Sequence, residues 1–310
     1  MMGRILAIAT NAYREAVRAR VLFGLLAAAL ATSMYSVLVA TLSLRQELRV
    51  VADIGAASLS LYAVLVAIVL GATSLYRELE LKTIFPILAR PLRRHEYVIG
   101  KYLGTLTTLG VFLALDGSMV LLLLALLAKQ SPAIVASVVG GLAVALGALL
   151  YRARFSRVFV VVPWSFALLL ATALLAGPAG DERRLVLAGL VLTFAEVAIV
   201  AAVATLFSSF STPFLTAVFT FGVFLVGRSA DLLANLPAKV FGPVLRDMGR
   251  ALATVMPNLH LYAPPRPLLL GQVPEAPLGA YLSMASFHAL AFVTVLLALG
   301  ALVFRKRDFQ

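Results

Sequence analysis

The chain has no cysteine among its 310 residues. That absence removes disulfides, thiolate metal sites and cysteine nucleophiles together. Histidine is nearly as scarce. His95, His260 and His288 lie far apart without metal-ligand spacing, so neither a metal nor a cofactor is expected. Charged residues make up only 13% of the chain, and acidic ones are the rarer kind, 14 against 26 Lys and Arg. No H-E-x-x-H or G-x-S-x-G motif occurs, and no catalytic polar groups cluster at one depth. This argues against a membrane-embedded enzyme.

What the chain has in excess is apolar surface. Hydrophobic residues make up 62% of it, and the mean hydropathy is +1.01. Globular domains are nearer half apolar and a quarter charged, so this is a membrane composition. A net charge of +12 would suggest nucleic acid in a soluble domain. Here the basic residues sit in short loops between apolar runs, where anionic headgroups and the positive-inside rule account for them. No basic patch is interleaved with aromatics, and no nucleic-acid partner is expected. The opening MMGRILAIATNAYREAVRAR has too short an apolar core for a signal peptide, and arginines replace the small-residue cleavage site.

A spanning helix needs roughly 20 apolar residues. The runs 21–44, 54–76, 102–128, 131–150, 158–177, 185–208, 209–227 and 277–304 qualify, giving an all-α polytopic membrane protein with about eight transmembrane helices. The run at 209 opens with the breaker sequence SFSTP, which places a tight turn at Ser211 to Pro213. Residues 4–20 form an amphipathic helix at the interface, with Ile5, Ile8, Ala9, Ala12, Tyr13, Ala16 and Val17 on one face. A second amphipathic helix falls within the link 228–276. There Val240, Val244, Leu245, Met248, Leu252 and Val255 oppose Lys239, Arg246, Asp247 and Arg250 on the outer surface. With the N-terminus inside, most basic residues fall in cytoplasmic loops, among them Arg152, Arg154 and Arg157. Both termini are then cytoplasmic, in a multi-pass protein of the inner membrane. The long outer link, which carries several arginines, follows the rule less closely.

The segment 77–101, RELELKTIFPILARPLRRHEYVIGK, crowds both charge signs between two apolar helices, and Pro86 and Pro91 break it. On its residues alone it reads either as a solvated positive-inside loop or as a docking surface. Glu78, Glu80, Thr83, Pro91, Arg94, Gly100 and Lys101 stand in the order found in the first cytoplasmic loop of ABC-2 type transporter permeases. The segment resembles that loop, especially in the multi-copper-enzyme maturation permease subgroup. The start with Tyr13, Arg14 and Glu15, the pair Pro257-Asn258 and the terminal Arg307-Asp308-Phe309 are also similar to the family.

The resemblance implies the permease subunit of an ATP-driven transporter, an exporter, pairing as a homodimer or with a paralogue. It further implies a separate ATPase seated on the coupling loop 77–101, with Glu78, Glu80, Thr83, Pro91, Arg94 and Lys101 as coupling residues. The chain has no G-x-x-x-x-G-K-[ST] phosphate loop, so ATP hydrolysis would belong to the partner. The family pattern has six spans; 131–183 adds a hydrophobic hairpin with a basic turn.

Asp116 and Glu196 fall near mid-bilayer, where an ionised side chain costs about 2.5–3.5 kcal/mol on insertion scales. Each reads either as a wall of the translocation path or as a carboxyl hydrogen-bonded between helices. They also leave open an ion-coupled secondary transporter using both, and a non-transporting assembly or signalling subunit is the remaining alternative. Arg228 reads as an interfacial anchor and His288 as a helix-packing residue. Gly100 with Gly104, and Gly140, Gly141 and Gly147, are sites for close helix contact.

Overall fold

A computed structural model describes residues 2–80, 93–153, 157–273 and 277–306. Helix α1 spans Met2–Val17, α2 Arg20–Thr41, α3 Glu47–Glu80 and α4 Arg94–Leu127. They are followed by α5, Pro132–Arg152, α6, Arg157–Leu175, α7, Asp181–Ser208, and α8, Pro213–Arg228. The short α9, Ala230–Ala234, leads into α10, Ala238–Val255. A 3-10 turn at Leu259–Tyr262 and α11, Arg266–Leu269, precede the last helix, α12, Leu278–Lys306. No strand occurs among the described residues.

Seven of these helices are long and apolar enough to cross a membrane, and the 16-residue α8 is a shorter apolar one. With seven spans and the shorter α8, the expectation of about eight stands, and so does the breaker before α8. Ser209–Thr212 make the turn, and Pro213 opens the helix, where its missing N–H has no role in the ladder. Several hydroxyls inside the spans bond back to carbonyls of their own helices. Thr32 to Ala28, Thr172 to Leu168 and Thr205 to Ala201 are examples that leave no donor stranded in apolar surroundings.

The centre of the bundle is α3, α4 and α7. In an 18-residue apolar stretch of α4 and of α7, 78% of residues are buried, against 6% in that of α5. A Cβ on Gly71 would sit 2.4 Å from Ala204 Cβ, so α3 and α7 meet almost backbone to backbone. Helix α2 packs on α3, α12 on α7 and α6 on α4. The predicted hairpin is present as α5 and α6, with α5 held mainly by α6. Trp164 Nε1 donates to Leu142 O at 2.9 Å across that contact.

One reading made from the sequence needs correction. A Cβ on Gly140, Gly141 or Gly147 would meet nothing within 4 Å, so these glycines make no close contact within the chain. The link 228–276 has a buried part as well as a surface helix. Leu259 and Tyr262 are buried, and the Tyr262 hydroxyl donates to Ala285 O of α12. The α10 part does keep its apolar face outward: Val240, Val244, Met248 and Val255 are all at least 60% exposed. Gly242, at φ 79°, kinks that helix just before Pro243.

Candidate functional site

The coupling region is built on two overlong helices. Helices α3 and α4 each have 34 residues, or about 51 Å at 1.5 Å per residue, against about 30 Å of hydrocarbon. Each therefore overhangs the bilayer. Glu78 and Glu80 stand in the last turn of α3 and Arg94 opens α4, so 77–101 is framed by helix ends. The side chains of these three lie outside the described residues, as do Thr83 and Pro91 altogether. At the base of α4, Arg93 N donates to the Glu96 carboxylate at 3.1 Å and caps the helix.

Helix α1 does more than lie at an interface. Its expected apolar face is turned against α4, with Ile5, Ala12 and Tyr13 buried. A Cβ on Gly100 would come within 2.7 Å of Ile8, and one on Gly104 within 2.6 Å of Ala9 O and 2.5 Å of Ala12 Cβ. Of the small-residue pairs seen in the sequence, this one is used. Beside it Lys101, only 2% exposed, pairs with Glu15 at 3.0 Å. Lys101 thus faces α1, and its ammonium is not displayed to a partner surface.

The same side of the bundle gathers the start of α6 and the end of α12. Tyr13 Oη donates to Val158 O at 3.1 Å, and burial pushes the Tyr13 hydroxyl up to about 12, which keeps it protonated as a donor. Arg14 lies 4.7 Å over the Phe159 ring, and Tyr97 stacks on Phe304. Arg157, at the start of α6, is consequently on the α1 side. On the far side, Arg266 joins Asp53 of α3 to Glu182 of α7.

Between these ends lie the two membrane carboxyls. Asp116 is fully buried and accepts one hydrogen bond, from Ser33 Oγ of α2 at 3.2 Å; its Oδ2 has no partner. Glu196 is also fully buried. It accepts from Arg228 Nη1 at 2.5 Å and from Ser60 Oγ of α3 at 3.2 Å. Arg228 also reaches Leu259 O at 3.5 Å. It is therefore the partner of Glu196 and not an interfacial anchor. Glu196 is about 22 Å along α7 from Asp181 and about 18 Å from Ser208. Helix α8 therefore ends near mid-depth, and the 3-10 turn packs beyond it. His288 is satisfied there, its Nδ1 2.8 Å from Tyr262 Oη. Among the described residues no three His, Cys, Asp or Glu side chains converge as a metal set.

The sequence held a sign of this pairing. Glu196 and Arg228 stand sixteen positions on either side of Thr212, in the turn between α7 and α8. Glu196 lies 12 residues before the end of α7 and Arg228 15 residues after the start of α8, so the hairpin sets them at comparable depth, while packing fixes which faces meet.

The family model for ABC-2 family transporter protein matches residues 6–309, from α1 through the C-terminal segment. The chain belongs to this family. No curated protein matches it. As an ABC-2 permease it is the membrane subunit of an ABC transporter, a class that works with a separate ATPase. The matched range includes the α5–α6 hairpin.

Proposed function

We propose that this permease forms the membrane half of an ATP-driven exporter in the cytoplasmic membrane, acting as a homodimer with both termini in the cytoplasm. A separate ATPase seats on 77–101, contacting Glu78, Glu80, Thr83, Pro91 and Arg94. The observation that carries this reading is the overhang of α3 and α4 with α1 clamped at its base. A push on the loop moves two core helices directly. Lys101 and Glu15 pass the same movement to α1, and Tyr13 passes it to α6.

Asp116 and Glu196 are the candidate path residues. Both are enclosed in this arrangement, so they line a path when the helices around them part. Supporting this, Asp116 Oδ2 lacks a partner and Arg228 is about a third exposed.

Purification of the tagged chain, expressed with its chromosomal neighbours, tests the proposal. A stoichiometric ATPase should accompany it and be lost on charge reversal at Glu78 and Glu80. Transport by the chain alone under an ion gradient, with no ATPase bound, would overturn it in favour of an ion-coupled carrier.

A further inference from the structure

On the α1 side, five helices surround an apolar groove of 320 Å³. Tyr13 of α1, Leu26 of α2, Phe112 of α4, Leu150 of α5 and Val161 of α6 contribute walls, and Arg157 stands among them. The two hydroxyls in the lining are already committed, Tyr13 to Val158 O and Thr108 to Gly104 O. The lining presents no polar surface to the groove, so Arg157 contributes its aliphatic stem and leaves its guanidinium to the surroundings. An apolar cavity of about 150 Å³ takes a benzene-sized guest, so this one accommodates a stretch of hydrocarbon chain.

The surroundings supply the opposite chemistry. Arg18 and Arg20 lie in the elbow between the groove residues Val17 and Leu22, and Arg152 follows Leu150 by two positions. Arg18, Arg20, Arg152 and Arg157 are all exposed, and none has a carboxylate partner among the described residues. The nearest acid in sequence, Glu15, is held by Lys101. An apolar slot flanked by uncompensated arginines at a helix-end depth matches an amphipath with an anionic head.

We propose that the groove is a binding site for one anionic phospholipid of the leaflet on the α1 side. One acyl chain lies between α2, α4 and α6, and the phosphate is held by Arg157 with the elbow arginines. The lipid bridges the α5–α6 hairpin to the α1–α2 elbow, two elements that otherwise meet chiefly through Tyr13, Arg14 and Phe159. The site stands independently of what the permease transports.

The test is retention of lipid by the purified full-length chain after incubation with equimolar phosphatidylglycerol and phosphatidylcholine, read by native mass spectrometry. One phosphatidylglycerol should remain, in preference to phosphatidylcholine. Arg157→Gln and Arg18→Gln should each lower that preference roughly fivefold. Val161→Trp, which fills the slot, should abolish retention, whereas Leu170→Trp, on an exposed part of α6, should not. Equal retention of the two lipids by the wild type would overturn the proposal even if a variant failed to fold. So would no retained lipid, or wild-type retention by a well-folded Val161→Trp.

Discussion

Arg228 and Glu196 face each other across the α7–α8 hairpin at 2.5 Å, the base about a third exposed and the acid fully buried. Removing one partner leaves a charge uncompensated in the bundle, whereas removing both leaves an apolar contact. Arg228→Leu should therefore destabilise the protein by about 3 kcal/mol, the low end for a buried pair because Arg228 is partly wetted. Glu196→Leu combined with Arg228→Leu should recover most of that loss. Thermal unfolding of the single and double variants in one detergent checks it; additive losses would show that the pair is not coupled.

Gly104 and Gly140 make a matched comparison. Gly104→Ala puts a methyl into Ala9 O and Ala12, while the same change at Gly140 enters open space. The first should destabilise by about 1–3 kcal/mol and loosen α1. The second should be neutral or slightly stabilising, since alanine favours helix over glycine. Unfolding midpoints and limited proteolysis of the first 20 residues distinguish the outcomes.

Lys101 and Glu15 should behave as a swap pair. Lys101→Glu alone buries a second acid facing Glu15. Adding Glu15→Lys should restore stability and any ATPase association lost by the single variant. If the swapped protein is as impaired as Lys101→Glu, the ion pair is not what ties α1 to α4.

The absence of cysteine gives a clean background for labelling. Single cysteines at Leu6 and Tyr151 should react from the same side of the membrane, and one at Leu44 from the opposite side. The three positions are 62%, 80% and 95% exposed and lie outside the spans or at the end of one. Labelling of Tyr151→Cys from the Leu44 side in intact cells would contradict the hairpin direction.

Asp116 calls for an isosteric and an apolar replacement. As a path residue, Asp116→Asn should retain assembly but reduce transport, and Asp116→Leu should abolish transport. Unchanged transport and assembly in both would leave it only its hydrogen bond to Ser33.

The spans were legible because an uninterrupted apolar run has one stable place, and proline at 132 and 213 marks where two of them begin. The apolar face of α1 was legible from its period. What it packs on was not, because periodicity does not distinguish lipid from a glycine-notched helix some 90 residues away. The same limit applied to Arg228, whose position at the end of an apolar run looks the same whether that run ends at the surface or half-way through. The family resemblance counts Lys101 among the coupling residues. Its burial depends on Glu15, which only the α1–α4 contact brings near.

The contact between Ala12 and Gly104 also sets a clock. At about 5–20 residues per second, α4 is synthesised some 5–20 s after α1. During that interval α1 has an apolar face and no helix to receive it, and the membrane surface is the only partner within reach. The amphipathic pattern first parks α1 on the bilayer and then docks it, so the interface is a waiting place and α4 the destination. A substitution that strengthened the grip of α1 on lipid would be expected to slow assembly while leaving the finished bundle unchanged.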